Sequence, residues 1–208
     1  WSQVCIEICG YSDLAQALLE KRDVHLDLGA QLLGISYEEA LARKFEEAVK
    51  DARQCSKPGN FGLPGGMGWR AFKAWVKANY GIVLSDEKAQ QIQLAWKRRW
   101  REHRPYFDFV SKITGTGEGG TIVHGLSKRV RAGVPYTVAC NSFFQGRAAD
   151  CAKDAGFKIL EACYLADRHS PLFGSRIVNF VHDEFIMEVS IDRAHEASME
   201  VVRLMEEA

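Results

Sequence analysis

Apolar residues along this chain fall into short runs, and the residues that punctuate those runs predict its elements. Residues 1–9 (WSQVCIEIC), rich in Val and Ile, predict a short strand. Residues 13–21 predict a helix with Asp13 in its first turn. Asp23-Val24-His25 opens a second helix running to about Leu33, where Gly34 stops it. Ser36-Tyr37-Glu38-Glu39 has the form of a capping box, and the helix it starts runs to about Ser56. The next twelve residues, 57–68, hold five glycines and two prolines and mark a break where backbone could approach a ligand closely. Residues 69–79 and 86–101 are helical in pattern. Residues 121–124 and 127–131 read as a small hairpin, and 136–166 as one long helix. Ile177-Val178-Asn179-Phe180 and Phe185-Ile186-Met187 flank Val181-His182-Asp183-Glu184, which predicts a hairpin over 176–189 with acids at its turn. A helix over 192–207 closes the chain, with Asp192 as a first-turn acid.

Composition narrows the class. The chain has 208 residues, 47 % of them apolar, enough to bury a real core in one or two domains. No apolar run approaches the ~18 residues that span a bilayer. The start, Trp1-Ser2-Gln3-Val4, lacks the form of a signal peptide and lacks methionine, so the chain is expected to begin mid-protein or after processing. Twenty-seven basic and 27 acidic residues cancel, which argues against a uniformly basic wrapper of nucleic acid but leaves room for a local basic groove. Cys5, Cys9, Cys55, Cys140, Cys151 and Cys163 form no Cys-x-x-Cys pair, so buried thiols are expected rather than a disulfide framework or a zinc site.

Four groups of residues carry candidate chemistry. Asp183 and Glu184 sit together in apolar surroundings, and paired carboxylates at a hairpin tip suit Mg²⁺, which takes hard oxygen ligands. The same residues are equally an ordinary acidic turn. His182 beside them either serves the turn or orients a metal site. Arg53, Lys57 and Phe61 are spaced four apart, so they share a helical face. Two cations and a ring suit a nucleoside triphosphate; a solvated basic face followed by a core Phe is the other meaning. Asn141 and Gln145 are also four apart. They can meet the minor-groove edge of a base pair or belong to a surface or a buried polar network. The run 97–104 holds five cations and one acid, with Trp96 and Trp100 interleaved. It reads as a phosphate contact or as a basic face whose two indoles pack inward.

In their order these residues resemble the polymerase core of family A DNA polymerases, over essentially the whole chain. Trp1-Ser2-Gln3 is similar to the residues directly after the catalytic Asp of motif A. Asp23-Val24-His25 resembles the family's Asp-Ile-His. Arg53-x₃-Lys57-x₃-Phe61-Gly62 resembles motif B, and Val181-His182-Asp183-Glu184 resembles motif C. Asn141-x₃-Gln145-Gly146-x-Ala148-Ala149-Asp150 resembles the helix that touches the minor groove. The stretch Asn60 to Gly68 is similar to a variant found in many bacteriophage members.

The resemblance implies a set of roles. Asp183, Glu184 and Lys57 are the catalytic candidates, with Asp183 and Glu184 as metal ligands for two Mg²⁺ ions, Mn²⁺ substituting. Arg53 and Lys57 hold the triphosphate, Phe61 packs near the incoming sugar, and Ser2 and Gln3 line the nucleotide. Asn141, Gln145 and His182 contact DNA. The chain departs from the family pattern in places. The motif A Asp would precede Trp1, so the fragment alone is expected to be inactive. Cys5 aligns with the motif A glutamate, with Glu7 nearby on the same strand parity; Gly65 aligns with the O-helix tyrosine, and Thr137 with an arginine.

The implied fold is α+β: a small antiparallel palm sheet with packed helices and a helical fingers subdomain, the right-hand polymerase fold without its thumb. Residues 1–21 are assigned to the palm, 22–130 to the fingers and 131–208 to the palm, with strand 1–9 beside the acid-tipped hairpin. The expected function is template-directed addition of deoxynucleotides to a primer 3′-OH by two-metal phosphoryl transfer, as part of a longer polymerase. The partners are primer-template DNA and deoxynucleoside triphosphates, with no membrane and no obligate protein partner. The expected location is the cytoplasm of a bacterial cell, the gene being the cell's own or a phage's. Two alternatives stand: a non-catalytic nucleotide- or DNA-binding module lacking the motif A aspartate, and an unrelated metal hydrolase using His182, Asp183 and Glu184.

Overall fold

A computed structural model describes residues 1–115, 119–165, 168–182 and 184–208. They form two compact units. The first comprises Trp1–Val123 and Arg129–Phe144, the second His124–Lys128 and Gln145–Ala208. Segment 1–21 therefore packs in one unit with 22–123, and residues 131–144 belong to it as well.

The first unit opens with helix α1 (Ser2–Cys9), which corrects the strand expected over 1–9. The β-branched Val4, Ile6 and Ile8 pointed to a strand. However, buried Val4 and Cys5 and partly buried Ile8 and Cys9 recur at the spacing of a helical face. Gly10 ends the helix at φ 78°, its N–H bonding the carbonyl of Ile6. Helix α2 (Asp13–Leu19) is capped by Ser12, whose Oγ accepts from the Ala15 N–H. Helix α3 (Val24–Leu33) is capped by Asp23 and stopped by Gly34 at φ 70°, as its sequence predicts.

Helix α4 (Tyr37–Ala42) carries the expected Ser36 cap but ends early, and α5 (Glu47–Gly62) starts afresh. The single helix expected up to Ser56 is thus two, and Arg43 bridges the break by donating to Glu39 and Glu46. Nor does the break expected over 57–68 begin at its start: α5 runs through Pro58 to Gly62. Pro58 is buried and the Ser56 hydroxyl back-bonds the Ala52 carbonyl, so tertiary packing outweighs the lost ladder bond.

Helices α3 and α5 pack closely because Gly29 has no side chain. A Cβ there would lie 3.0 Å from the backbone nitrogen of Arg53. After a 3₁₀ turn at Leu63–Gly65 come α6 (Trp69–Tyr80), α7 (Asp86–Arg99) and α8 (His103–Thr114). The last has no counterpart among the predicted elements. Leu28, Leu63, Phe72, Ile92, Trp96 and Trp100 form the main core. A second cluster joins Cys5, Tyr106, Val110, Ile122 and Ala139. Its hairpin pairs β1 (Gly120–Val123) with β2 (Val130–Val134), antiparallel.

The second unit takes the long helix α9 (Tyr136–Tyr164) from Gln145 onward. It adds β3 (Arg176–Val181), β4 (Glu184–Glu188) and α10 (Ala194–Glu206). β3 and β4 pair antiparallel, from Arg176↔Glu188 to Val181↔Glu184, and among the described residues no third strand joins them. Ile159, Cys163, Leu172, Ala197 and Leu204 form this unit's core. Helices with two small antiparallel hairpins make the fold mixed α and β. All six cysteines are free, with Cys5, Cys140 and Cys163 buried.

Candidate functional site

Helix α5 carries Arg53, Lys57 and Phe61 on one face, and the start of α3 lies against it. Asp23 joins the two helices. Its Oδ1 caps α3 by accepting the N–H groups of His25 and Leu26, each at 3.0 Å, and its Oδ2 accepts Arg53 Nε at 2.7 Å. Burial works to raise the Asp23 carboxyl, but the bonds from Arg53 and Leu26 outweigh it and hold the group below the usual carboxylate range. Among the described residues the terminal nitrogens of Arg53 make no hydrogen bond, and the Lys57 ammonium has no partner. Both are half-buried cations free to meet an anion.

Two further side chains complete this face. Phe61, read above as a stacking ring or a core residue, is 60 % exposed. The His25 ring packs on it, with centroids 5.3 Å apart at 56°. Burial pushes the His25 imidazole below its usual pKa; Asp23 opposes this, and the Arg53 and Lys57 charges add to it. Cations, ring and imidazole thus share one surface, which suits a polyanion attached to a planar group. The sequence carries no signal for the place of His25 here, because its closeness to α5 is a tertiary fact.

Beside Phe61 a cavity of about 340 Å³ opens, lined by Gly62, Gly65, Trp75, Arg131 and Asn141 among others. A Cβ on Gly65 would meet nothing within 4 Å, whereas one on Gly62 would lie 2.8 Å from the Trp75 ring. Arg131 is held by the Ser142 hydroxyl at 3.0 Å. Asn141 and Phe61 are therefore brought to one cavity, and Trp75 and Arg131 join them without sequence warning.

The remaining candidates fall elsewhere. Ser2 and Gln3 lie on α1, half-buried and exposed respectively, so Glu7 shares a helix with Cys5 rather than a strand parity. Gln145 is exposed on α9. In the second unit Glu184 begins β4 and is exposed, and exposed His182 takes φ 58°, the left-handed backbone that short hairpin turns require. Asp183 lies outside the described residues. Among those residues no three His, Cys, Asp or Glu side chains gather as a ligand set. The cationic run 97–104 resolves toward packing. Trp96 and Trp100 are fully buried, Arg99 grips Asp27 with two 2.7 Å bonds, and Arg101 grips Asp13.

Comparison with known proteins decides the family. A model of DNA polymerase family A matches residues 3–208. The chain belongs to that family. This family A chain is 27 % identical over 186 residues to DNA polymerase I of Aquifex aeolicus (strain VF5), a match covering 88 % of the chain and 29 % of the relative. It is 27 % identical over 215 residues to the thermostable DNA polymerase I of Thermus filiformis, covering 99 % and 23 %. The fold matches a solved structure described as the POL domain of Pol1 from M. smegmatis in complex with DNA primer-template and dNTP. There the TM-score is 0.72 at 21 % identity, over 98 % of this chain and 34 % of that one. The family A chain therefore spans less than a third of these two relatives' length. No described helix is long and apolar enough to cross a membrane.

Proposed function

We propose that this chain is the nucleotide-selecting and cation-binding part of a template-directed DNA polymerase that extends a primer 3′-OH with deoxynucleoside triphosphates. The observation that carries this reading is the shared face of α5 and α3. There Lys57, without a partner among the described residues, and the terminal nitrogens of Arg53 share a face with the His25 ring and an exposed Phe61. Family membership supports reading that face as a site for a triphosphate. Arg53 and Lys57 would neutralise the triphosphate and orient it. Phe61 would pack near the incoming sugar. Asn141, Gln145 and His182 are assigned to primer-template DNA, and Ser2 and Gln3 to the nucleotide's surroundings. Residues 22–130 are assigned to the fingers, and 1–21 with 131–208 to the palm.

Asp183 and Glu184 are the carboxylates assigned to Mg²⁺. The exposed oxygen donor of Glu184 suits a hard cation. Two such ions, when bound, would supply charge to the attacking and leaving oxygens of the phosphoryl transfer. The test is primer extension by the full-length protein that carries this chain. Asp183→Ala is expected to abolish extension in Mg²⁺, and Lys57→Ala to raise the KM for deoxynucleotide at least about tenfold by removing a charge-assisted contact. Extension by Asp183→Ala at the unaltered rate would overturn the cation assignment, and an unchanged KM in Lys57→Ala would overturn the nucleotide assignment.

A further inference from the structure

Asn60, one residue before Phe61, is half-buried and uses both ends of its amide. Its Oδ1 accepts from Trp100 Nε1 at 2.9 Å, and its Nδ2 reaches the Val24 carbonyl at 3.0 Å and His25 Nδ1 at 3.1 Å. The orientation of this amide follows from its partners. An indole N–H can only donate and a backbone carbonyl can only accept. The oxygen must therefore face Trp100 and the NH₂ must face Val24. The second hydrogen of that NH₂ then points at His25 Nδ1, which can receive it only as a lone pair.

We infer that Asn60 is a positioning residue: it fixes His25 in the tautomer whose hydrogen is on Nε2, and so presents an N–H donor to the phosphate oxygens of the nucleotide. The inference rests on the nucleotide reading of this face. Among the described residues Nε2 has no hydrogen-bond partner, so its hydrogen is available to a ligand. Charging the imidazole would place a hydrogen on Nδ1 against the hydrogens of Asn60, with the Arg53 and Lys57 charges opposing it and Asp23 alone favouring it. Burial acts in the same direction as those two cations, and His25 is held below its usual pKa. A neutral donor fixed in direction contacts an anion without adding a third cation to a face that already holds two.

The experiment has two arms. Nitrogen-15 spectra of the histidine-labelled full-length protein are expected to show His25 with a protonated Nε2 and a bare Nδ1; the opposite tautomer would overturn the inference without any variant. Asn60→Asp keeps an acceptor for Trp100 but turns the donor at His25 into an acceptor, which favours a hydrogen on Nδ1. The expected result is an inverted tautomer and a KM for deoxynucleotide raised about tenfold or more at pH 8.5, with kcat changed less. As the pH falls and His25 becomes doubly protonated, Nε2 regains its hydrogen and the KM is expected to recover, a profile that loosened packing alone would not produce. Lys57→Ala separates the failures. If it raises the KM while Asn60→Asp does not, the nucleotide reading stands and the Asn60 inference falls. If neither variant moves the KM, the nucleotide reading falls and takes the inference with it.

Discussion

His25 ties a single residue to the acid limit of the fold. Its usual pKa of about 6.5 applies to the unfolded chain, and burial with the Arg53 and Lys57 charges lowers it in the folded one. As pH falls the unfolded chain takes up its proton first. The stability this residue contributes is therefore fully present above about pH 6.5 and is lost as pH falls through the folded value. Asp23 has the same sign in a lower window, because its carboxyl is also held below its ordinary value. His103, lowered chiefly by burial, adds a second histidine to the upper window. Urea midpoints measured from pH 7.5 to 5 are expected to fall for the unmodified chain and to fall less steeply for His25→Gln, with His103 sustaining the remaining slope. Equal slopes in the two proteins would show that His25 is not held neutral by the fold.

At the scale of elements, the site depends on how closely α3 approaches α5. The atoms a Cβ on Gly29 would meet at 3.0–3.3 Å are all backbone, belonging to Ala52 and Arg53, so they cannot rotate away as a side chain could. Gly29→Ala is expected to cost about 1–3 kcal/mol in chemical denaturation and to raise the nucleotide KM by displacing His25 and Asp23 from Arg53; unchanged stability would mean the helices give way more easily than their contact indicates. Helix α3 itself was legible, because Asp23 and Gly34 are local signals whose partners lie within the same turn. So were the long helix and the 176–189 hairpin. What failed were elements decided by packing. Residues 1–9 carry strand-forming Val and Ile but bury a helical face, and the break at 43–46 has neither Gly nor Pro to mark it. The start of α8 was hidden by a cationic run whose Arg99 and Arg101 serve buried or partly buried Asp27 and Asp13. The site divides the same way. The spacing of Arg53, Lys57 and Phe61 could be read along one helix. His25, Asn60, Trp75 and Arg131 could not, since each earns its place through a neighbour distant in sequence.

Across the whole molecule the balance of charge is zero, and what distinguishes its two units is how each is held. The first buries Trp96, Trp100, Tyr106 and Phe72 completely. It also closes α3 on α7 through Asp27, 2 % exposed, which takes two bonds from Arg99 and lies 3.0 Å from Arg22 Nε. That last pair lacks hydrogen-bond geometry, so Arg22 contributes charge alone. The second unit has the smaller buried cluster, and Val178, Phe180, Val181 and Ile186 of its hairpin remain 42–55 % exposed. Hydrophobic stabilisation scales with apolar area removed from water, about 25 cal/mol per Å², so the second unit should open at a lower free energy than the first. Native-state hydrogen exchange on the 208-residue chain is the measurement. Amides of β3, β4 and α10 are expected to lose protection at lower denaturant than those of α3, α5 and α7. A common opening free energy for both sets would show instead that the chain unfolds as one cooperative body.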